Sequence, residues 1–388
     1  MRQKLIAFEN RMARKFDDGH MPYLVHFSGG NEDHLIEIFK EIKKGDYVFS
    51  THRSHYHYLL AGGSEDRLEN LITNGKSMFV FDRDLNFYSS SIVCATAAIA
   101  AGVAWALKSK GSSQRVWCFL GDGAEDEGHL CEAARYVDGW NLPCTFIIED
   151  NDRSVSASKS ERWGSYKGLS YDCIQRYSYV PTYPHGGTGT PGWLKFKCKP
   201  EIETEFYRAS PIFSGPESKD GYMDAVKESM ALLAFHGVIF IGYNVRHGSA
   251  YGSLIDIHDQ QKVETPLAEN LMAGLAMGMS LEGFRPVLYL ERQDFFFNAL
   301  DAIVNQMDKI EVVSRGEFSL PVIIKAVAGS IGPFYAGATH TSNYASALTG
   351  LLRMPILQPR NAEDVLYSYR YALESDGPVI VSEMKELY

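Results

Sequence analysis

Asp122 and Asn151 have the side-chain chemistry and the spacing to hold a divalent ion against a diphosphate. The stretch from Phe119 to Ser158, FLGDGAEDEGHLCEAARYVDGWNLPCTFIIEDNDRSVSAS, reads as strand, Gly-Asp-Gly turn, helix, strand and Asn-bearing loop. Arg115–Leu120 is a short apolar strand, and Gly121 and Gly123 permit a tight turn whose backbone N–H groups come close to a ligand. Ala124, Leu130, Cys131, Ala133, Ala134 and Val137 recur at helical spacing, which predicts a helix from Ala124 to Tyr136. Its free N-terminal N–H groups favour a phosphate at the turn. Pro143–Ile148 is a continuous apolar run, as in a strand buried on both faces. A right-handed crossover returns that strand parallel to the first, so the turn and the Asn151 loop meet at the carboxyl edge of one sheet. Mg²⁺ prefers oxygen, takes few protein ligands and leaves its other positions to phosphates and water, so an Asp, an Asn and a carbonyl suffice. A lone Gly-Asp-Gly is only a turn; the whole segment gives it meaning.

From Gly121 to Asn151 this segment resembles, without a gap, the α-subunit type of the E1 component of 2-oxo acid dehydrogenases, a thiamine diphosphate (ThDP) family. The resemblance implies Asp122 and the Asn151 side chain as Mg²⁺ ligands, the backbone carbonyl of Arg153 as the third, and the Gly121–Ala124 turn, chiefly the Gly123 and Ala124 N–H groups, on the diphosphate. The tail, DNDRSVS, looks more like deoxyxylulose-phosphate synthase, a neighbouring ThDP family. Thr51-His52-Arg53-Ser54-His55 resembles an α-subunit pattern that would put Arg53 on the diphosphate and His55 on the substrate. Tyr183-Pro184-His185-Gly186 is similar to a Tyr-His-Gly loop that would set His185 near the diphosphate. Ile92 and Val93 stand where the family contacts the pyrimidine and wedges the cofactor into its bend, with Ser91 and Cys94 in place of two glycines.

The second half carries a matching signature. Glu264-Thr265-Pro266-Leu267-Ala268-Glu269 precedes a helix of Gly, Ala and Met. Gly283-Phe284-Arg285-Pro286, Asp294-Phe295 and His340 in GATHTSN follow in the order of an E1 β-subunit. The resemblance implies that Glu269 hydrogen-bonds the aminopyrimidine ring, that Phe295 stacks on it and that His340 faces the substrate. ThDP would supply the ylid and electron sink, while the protein orients it and sets its electrostatics. His55, His185 and His340 suit proton transfer near neutral pH. Glu291-Arg292-Gln293, before Asp294-Phe295, predicts a polar, charged wall and a substrate other than pyruvate.

The elements that must position these residues fall into two sets. The expected architecture is α/β: two ThDP-binding-fold domains in series, each a mostly parallel sheet with helices on both faces. Residues 1–200 form the diphosphate-binding, E1α-like domain. Residues 201–220, rich in Pro, Ser and charge, form a linker, and residues 221–388 form the pyrimidine-binding, E1β-like domain. That order on one chain is shared with transketolase and deoxyxylulose-phosphate synthase. In those relatives a strand like Val379–Ser382 leads into a third domain, which is expected to be missing here. The expected assembly is a homodimer with the cofactor between domains of opposite subunits.

Composition limits the alternatives. The chain has 388 residues, 45% of them hydrophobic, and a formal net charge of −10. It shows no basic cluster for nucleic acid and no apolar run of membrane-spanning length. The amphipathic N-terminus lacks an apolar signal core and reads as a leading helix. Six cysteines without a Cys-x-x-Cys spacing fit reduced thiols and a cytoplasmic setting. The chain is thus expected to be a ThDP- and Mg²⁺-dependent enzyme of the E1 type, decarboxylating a 2-oxo acid and passing the acyl unit to a lipoyl-bearing or other acceptor. A transketolase- or synthase-like carboligase acting on a ketose is the alternative. A non-catalytic ThDP-fold scaffold is a third reading, disfavoured because Asp122, Asn151 and Glu269 are all present.

Overall fold

A computed structural model describes residues 1–165, 167–190, 196–200, 208–329 and 337–388. It divides into two units, Met1–Thr204 and Glu205–Tyr388. Residues 201–207 of the expected linker lie outside the described residues. Residues 208–220 contain neither helix nor strand, and Arg208 N–H and Ser218 N–H donate to Arg353 O and Arg360 O of the second unit, both at 2.9 Å.

In the first unit, helix α1 (Arg2–Asp17) is followed by α2 (Glu32–Ile38), β1 (Tyr47–Ser50), α3 (His55–Leu60) and α4 (Glu65–Thr73). Then come β2 (Phe81–Asp82), β3 (Phe87–Ser89), α5 (Ala95–Ser109), β4 (Val116–Gly121), α6 (Gly128–Gly139) and β5 (Cys144–Asp150). A hairpin of β6 (Arg153–Ser154) and β7 (Ala157–Ser158), α7 (Lys159–Trp163) and β8 (Ile174–Ser178) complete it. The main sheet runs β2-β3-β1-β4-β5-β8, and every pair is parallel except β2–β3. Alternation along β4 explains the layering. Trp117 and Phe119 join the core beneath α1 through Leu5, Phe8 and Met12. Cys118 faces the opposite way and lies 3.6 Å from Thr96 of α5. Helix α5, ATAAIAAGVAWALKS, is apolar nearly all round, as a helix buried against a sheet must be.

The second unit repeats the plan. Its elements are α8 (Tyr222–Phe235), β9 (Ile239–Gly242), β10 (Lys262–Glu264), α9 (Glu269–Leu281), β11 (Pro286–Leu290), α10 (Ile310–Val313) and β12 (Ile323–Ala328). Helix α11 (Ala345–Leu351), β13 (Ile356–Leu357), α12 (Ala362–Glu374) and β14 (Val379–Met384) follow. The sheet order is β10-β9-β11-β12-β14-β13, parallel throughout. Helices α8 and α12 share one core with Phe240, Val287, Tyr289 and Val381, while α9 packs on β9 and β11. The α/β expectation of two sheet-bearing units is met. One detail differs: the helix expected from Ala124 begins at Gly128, because Asp122–Asp126 closes into a 3₁₀ turn first. That tighter turn is a common entry to an α-helix.

Candidate functional site

In the first unit the carboxyl ends of β1, β4 and β5 open onto a cavity of about 490 Å³. Gly121, Asp122, Gly123 and Ala124 line it after β4, Asn151 and Arg153 after β5, and His52 and Arg53 after β1. Ile92, Val93 and His185 line it as well. Asp122 is buried, and its Oδ1 accepts the Asn151 N–H at 3.4 Å, tying the ends of the two strands together. The Asn151 side chain accepts the Arg153 N–H at 3.0 Å and donates to the Tyr179 hydroxyl at 3.2 Å. A Cβ at Gly121 would meet nothing within 4 Å, whereas one at Gly123 would stand 2.8 Å from Ser154 Oγ. Gly123 is thus required by its neighbour, and Gly121 leaves room for a ligand. Cys94, where the family resemblance has glycine, takes a left-handed φ of 61°.

Both signs of charge line the cavity, Arg53 and Arg153 with Asp122 and Glu149. Arg53 Nη2 lies 3.4 Å from the Pro184 and His185 carbonyls, and its buried Nε has no hydrogen-bond partner. Among the described residues Arg53 makes no salt bridge, so a half-buried guanidinium lines the cavity without a directly paired carboxylate. Burial pushes the Asp122 carboxyl above its usual range, opposed by Lys159 and aggravated by Asp150. Lys159 Nζ lies 3.9 Å from Asp122 Oδ2 and bonds Asp150, and Arg162 Nη2 lies 3.4 Å from Asp122 Oδ2. Glu149, two residues before Asn151, also lines the cavity. Its Oε1 accepts Asn31 Nδ2 at 3.0 Å, His57 Nε2 at 3.2 Å and the Tyr177 hydroxyl. Burial alone would raise this carboxyl, but the His57 ring and the other donors outweigh burial and hold it below its usual range. The Ser50 hydroxyl lies in hydrogen-bond contact with His57 Nδ1 at 2.8 Å, which completes a buried Ser50–His57–Glu149 chain.

His55 stands elsewhere. It is fully buried on α3, where its Nδ1–H donates to Glu9 Oε1 at 2.8 Å and its Nε2 accepts from Ser77 Oγ at 2.8 Å. Neither ring nitrogen is left for a substrate in this arrangement. In the second unit Glu269 is the first residue of α9, is buried, and accepts Asn298 Nδ2 at 3.3 Å. Phe295 packs edge-on against His340, with ring centroids 5.4 Å apart, and Arg292 Nη1 donates to His340 O at 3.1 Å. Glu291 and Gln293 turn inward: Glu291 Oε1 accepts Ala250 N–H at 2.7 Å, and Gln293 Nε2 donates to Ser382 Oγ at 3.2 Å. Glu149, Lys159, Arg162 and His26 were not foreseen as site residues. Only Glu149 had a readable signal, a carboxylate ending a buried apolar strand.

Residues 1–170 match the family model described as dehydrogenase E1 component, and residues 217–388 match the transketolase pyrimidine-binding domain. The pyruvate dehydrogenase E1 component subunit alpha of Rickettsia bellii is 31% identical over 243 residues, 52% of this chain and 74% of the relative. The chain belongs to the dehydrogenase E1 component family. That family is ThDP-dependent. This E1-family chain is also 29% identical over 175 residues to the β-subunit of the same organism's enzyme, spanning 44% of the chain and 53% of the relative. It spans about half the length of the first curated relatives it matches, such as 51% of the E1 α-subunit of Rickettsia typhi at 33% identity over 168 residues and 40% of this chain. Among solved structures, transketolase from Campylobacter jejuni superposes with a TM-score of 0.69 at 14% identity, covering 98% of this chain and 78% of that one. This likeness is one of fold. Among the described residues, no helix of this E1-family chain is long and apolar enough to cross a membrane.

Proposed function

We propose that this chain is a ThDP- and Mg²⁺-dependent enzyme that decarboxylates a 2-oxo acid and transfers the resulting acyl unit. The observation that carries the reading is the half-buried Arg53, whose Nε lacks a partner, lining the same cavity as a glycine turn with free space over Gly121. A diphosphate satisfies both. Asp122, the Asn151 side chain and the Arg153 carbonyl would hold Mg²⁺, an all-oxygen set that suits a hard ion. Gly123 and Ala124 would present N–H groups to the diphosphate, and Ile92 and Val93 would shape the cofactor beside them. Bound ThDP supplies a carbanion equivalent and an electron sink.

The protein's part is positioning and proton control. Glu269, buried at the start of α9 and steadied by Asn298, would hold the aminopyrimidine through a carboxylate hydrogen bond. Phe295 would supply an aromatic face, while His340 and His185 would handle protons at the substrate. His55, with both nitrogens engaged, would act by holding the Arg53 loop. We further propose a homodimer that uses a lipoyl-bearing or other carbon acceptor. Carboligation of a ketose or aldehyde is the second reading, favoured by the buried Glu291 Oε2 that lacks a partner and could accept from a hydroxyl-rich substrate.

Calorimetric titration with ThDP and Mg²⁺ tests the cofactor: stoichiometric, Mg²⁺-dependent binding is expected, and no binding defeats the proposal. A screen of 2-oxo acids with an artificial electron acceptor, run beside an aldehyde-ligation assay, separates the two readings. Light scattering tests the dimer.

A further inference from the structure

A buried polar chain joins the segments whose ends open onto the first unit's cavity. Ser50 is the last residue of β1, and Glu149 is the next-to-last residue of β5. His57 stands between them on α3, four residues after Arg53. In the sheet, Glu149 lies in register between Gly121 of β4, on the diphosphate turn, and Tyr177 of β8. All three side chains are buried, and Ser50 and Glu149 line the cavity. The diphosphate reading above assigns no task to His57.

Two features set His57 apart from a core aromatic. The first is its surroundings. The ring stacks on Phe119, with centroids 4.3 Å apart and planes 25° from parallel, and Phe39 lies 6.3 Å away at 15°. A phenyl ring fits such a stack without burying polar atoms, so packing alone gives no reason for an imidazole. The second is that both ring nitrogens are used. Nε2 lies 3.2 Å from Glu149 Oε1, and Nδ1 lies 2.8 Å from Ser50 Oγ. The ionised Glu149 carboxylate only accepts, so Nε2 carries a proton and bonds α3 to β5, while Nδ1 bonds α3 to β1. The same Glu149 oxygen accepts Asn31 Nδ2 at 3.0 Å and the Tyr177 hydroxyl, so its donors come from three separate segments.

We propose that His57 is a positioning residue for the Mg²⁺–diphosphate site, locking the Asn151 end of β5 and the Arg53 turn into one register without touching the ligand. The inference rests on the ThDP reading. Asn151 follows Glu149 by two residues and Arg53 precedes His57 by four. One hydrogen bond therefore joins the segment that would hold the metal to the segment that would hold the diphosphate. The β4–β5 register ends at the Gly121–Glu149 pair, so beyond it Asn151 is tied to the β4 side by a bond to the Asp122 side chain rather than by the ladder. Ser50 adds the end of β1, whose next residues, Thr51 and His52, lead into the Arg53 turn. A binding constellation must be held to within about 0.5 Å, and the groups that orient metal ligands typically account for about 10- to 100-fold in affinity.

The test is calorimetric titration of the full chain with ThDP at a series of Mg²⁺ concentrations, beside a melting curve of the unliganded protein. The readout is the Mg²⁺ concentration that half-saturates ThDP binding. His57→Phe keeps the stack and removes both bonds, so half-saturation should rise about 10- to 100-fold. His57→Gln still offers Glu149 an N–H and should stay within about threefold of the wild type, whereas His57→Asn reaches only Ser50 and should resemble His57→Phe. The Gln and Asn pair carries the test if His57→Phe does not fold. Phe39→Leu thins the same stack but leaves both nitrogens in place. It should lower the melting temperature and leave half-saturation unchanged. Unchanged half-saturation in His57→Asn, equal losses in His57→Gln and His57→Asn, or a matching loss in Phe39→Leu would each overturn the proposal. A wild-type chain that binds no ThDP would defeat the ThDP reading itself, and this inference with it.

Discussion

His55 donates its Nδ1 proton to the Glu9 carboxylate across 2.8 Å, linking the N-terminal helix to the loop that carries Arg53. Both side chains are buried, and Glu9 Oε1 also accepts the Ser28 N–H at 2.6 Å. Removing the carboxylate strands two buried donors. Glu9→Ala should cost about 3 kcal/mol in urea denaturation. Glu9→Gln, which keeps an acceptor, should cost less than half of that. Equal losses would mean that α1 is held by packing alone. The same pair would couple the first helix to the Arg53 loop: ThDP affinity in Glu9→Ala should fall further than in a core variant of equal stability.

Lys159 and Arg162 reach the Asp122 carboxylate that is proposed to hold Mg²⁺. Lys159 Nζ is 3.9 Å from Asp122 and bonds Asp150. A dication entering there meets a resident positive charge, so Lys159→Gln should tighten Mg²⁺-dependent ThDP binding about 3- to 10-fold, read by calorimetry at low salt. Added salt should shrink the difference through screening. Weaker binding in the variant would instead assign Lys159 to the diphosphate.

Gly121 and Gly123 look alike in the sequence and differ in the structure. Gly121 has φ −72° and ψ 160°, ordinary for any residue, with open space at its Cβ. Gly121→Ala should keep or slightly raise stability, by about 0.4–1 kcal/mol, yet reduce ThDP affinity on the order of tenfold. Gly123→Ala places a methyl 2.8 Å from Ser154 Oγ and should lower the melting temperature as well. A matched pair of melting curves and titrations distinguishes a ligand-facing glycine from a packing one.

How much of this was legible beforehand follows from the range of each interaction. The diphosphate turn was readable because strand, turn and strand are consecutive, and parallel pairing brings Asp122 and Asn151 to one edge. The Arg153–Ser158 hairpin and its α7 cations were not, because two-residue strands give no periodicity and α7 is set by a Ser158–Glu161 capping box. His57 had no assigned role, since its partners Ser50 and Glu149 are 7 and 92 residues away. The helix start moved from Ala124 to Gly128 because the apolar spacing is equally compatible with a 3₁₀ turn there. His26, in the apolar setting of LVHF, offers no sign that Val25 O accepts the Gly187 N–H at 2.9 Å, which brings the Tyr183–Gly186 loop beside it.

Glu269 provides the sharpest test of the catalytic reading. Its carboxylate is buried at the N-terminus of α9, and Oε2 accepts Asn298 Nδ2 at 3.3 Å. In the proposed role it touches the aminopyrimidine and controls how readily that ring takes up a proton, so its charge matters more than its shape. Glu269→Gln preserves volume and the ability to accept from Asn298. It should therefore leave the melting temperature within about 2 °C and ThDP binding within several-fold. Exchange of the cofactor C2 proton, followed by NMR after quenched mixing with deuterium oxide, should slow about 10²–10⁴-fold, the usual contribution of a positioned acid–base group. Asn298→Ala tests positioning separately. It keeps the carboxylate but frees its orientation, so exchange should slow about tenfold or less, and Asn298→Asp should not restore it because a second carboxylate repels the first. Unchanged exchange in Glu269→Gln would leave Glu269 as a helix-start carboxylate and move the proton chemistry to another residue.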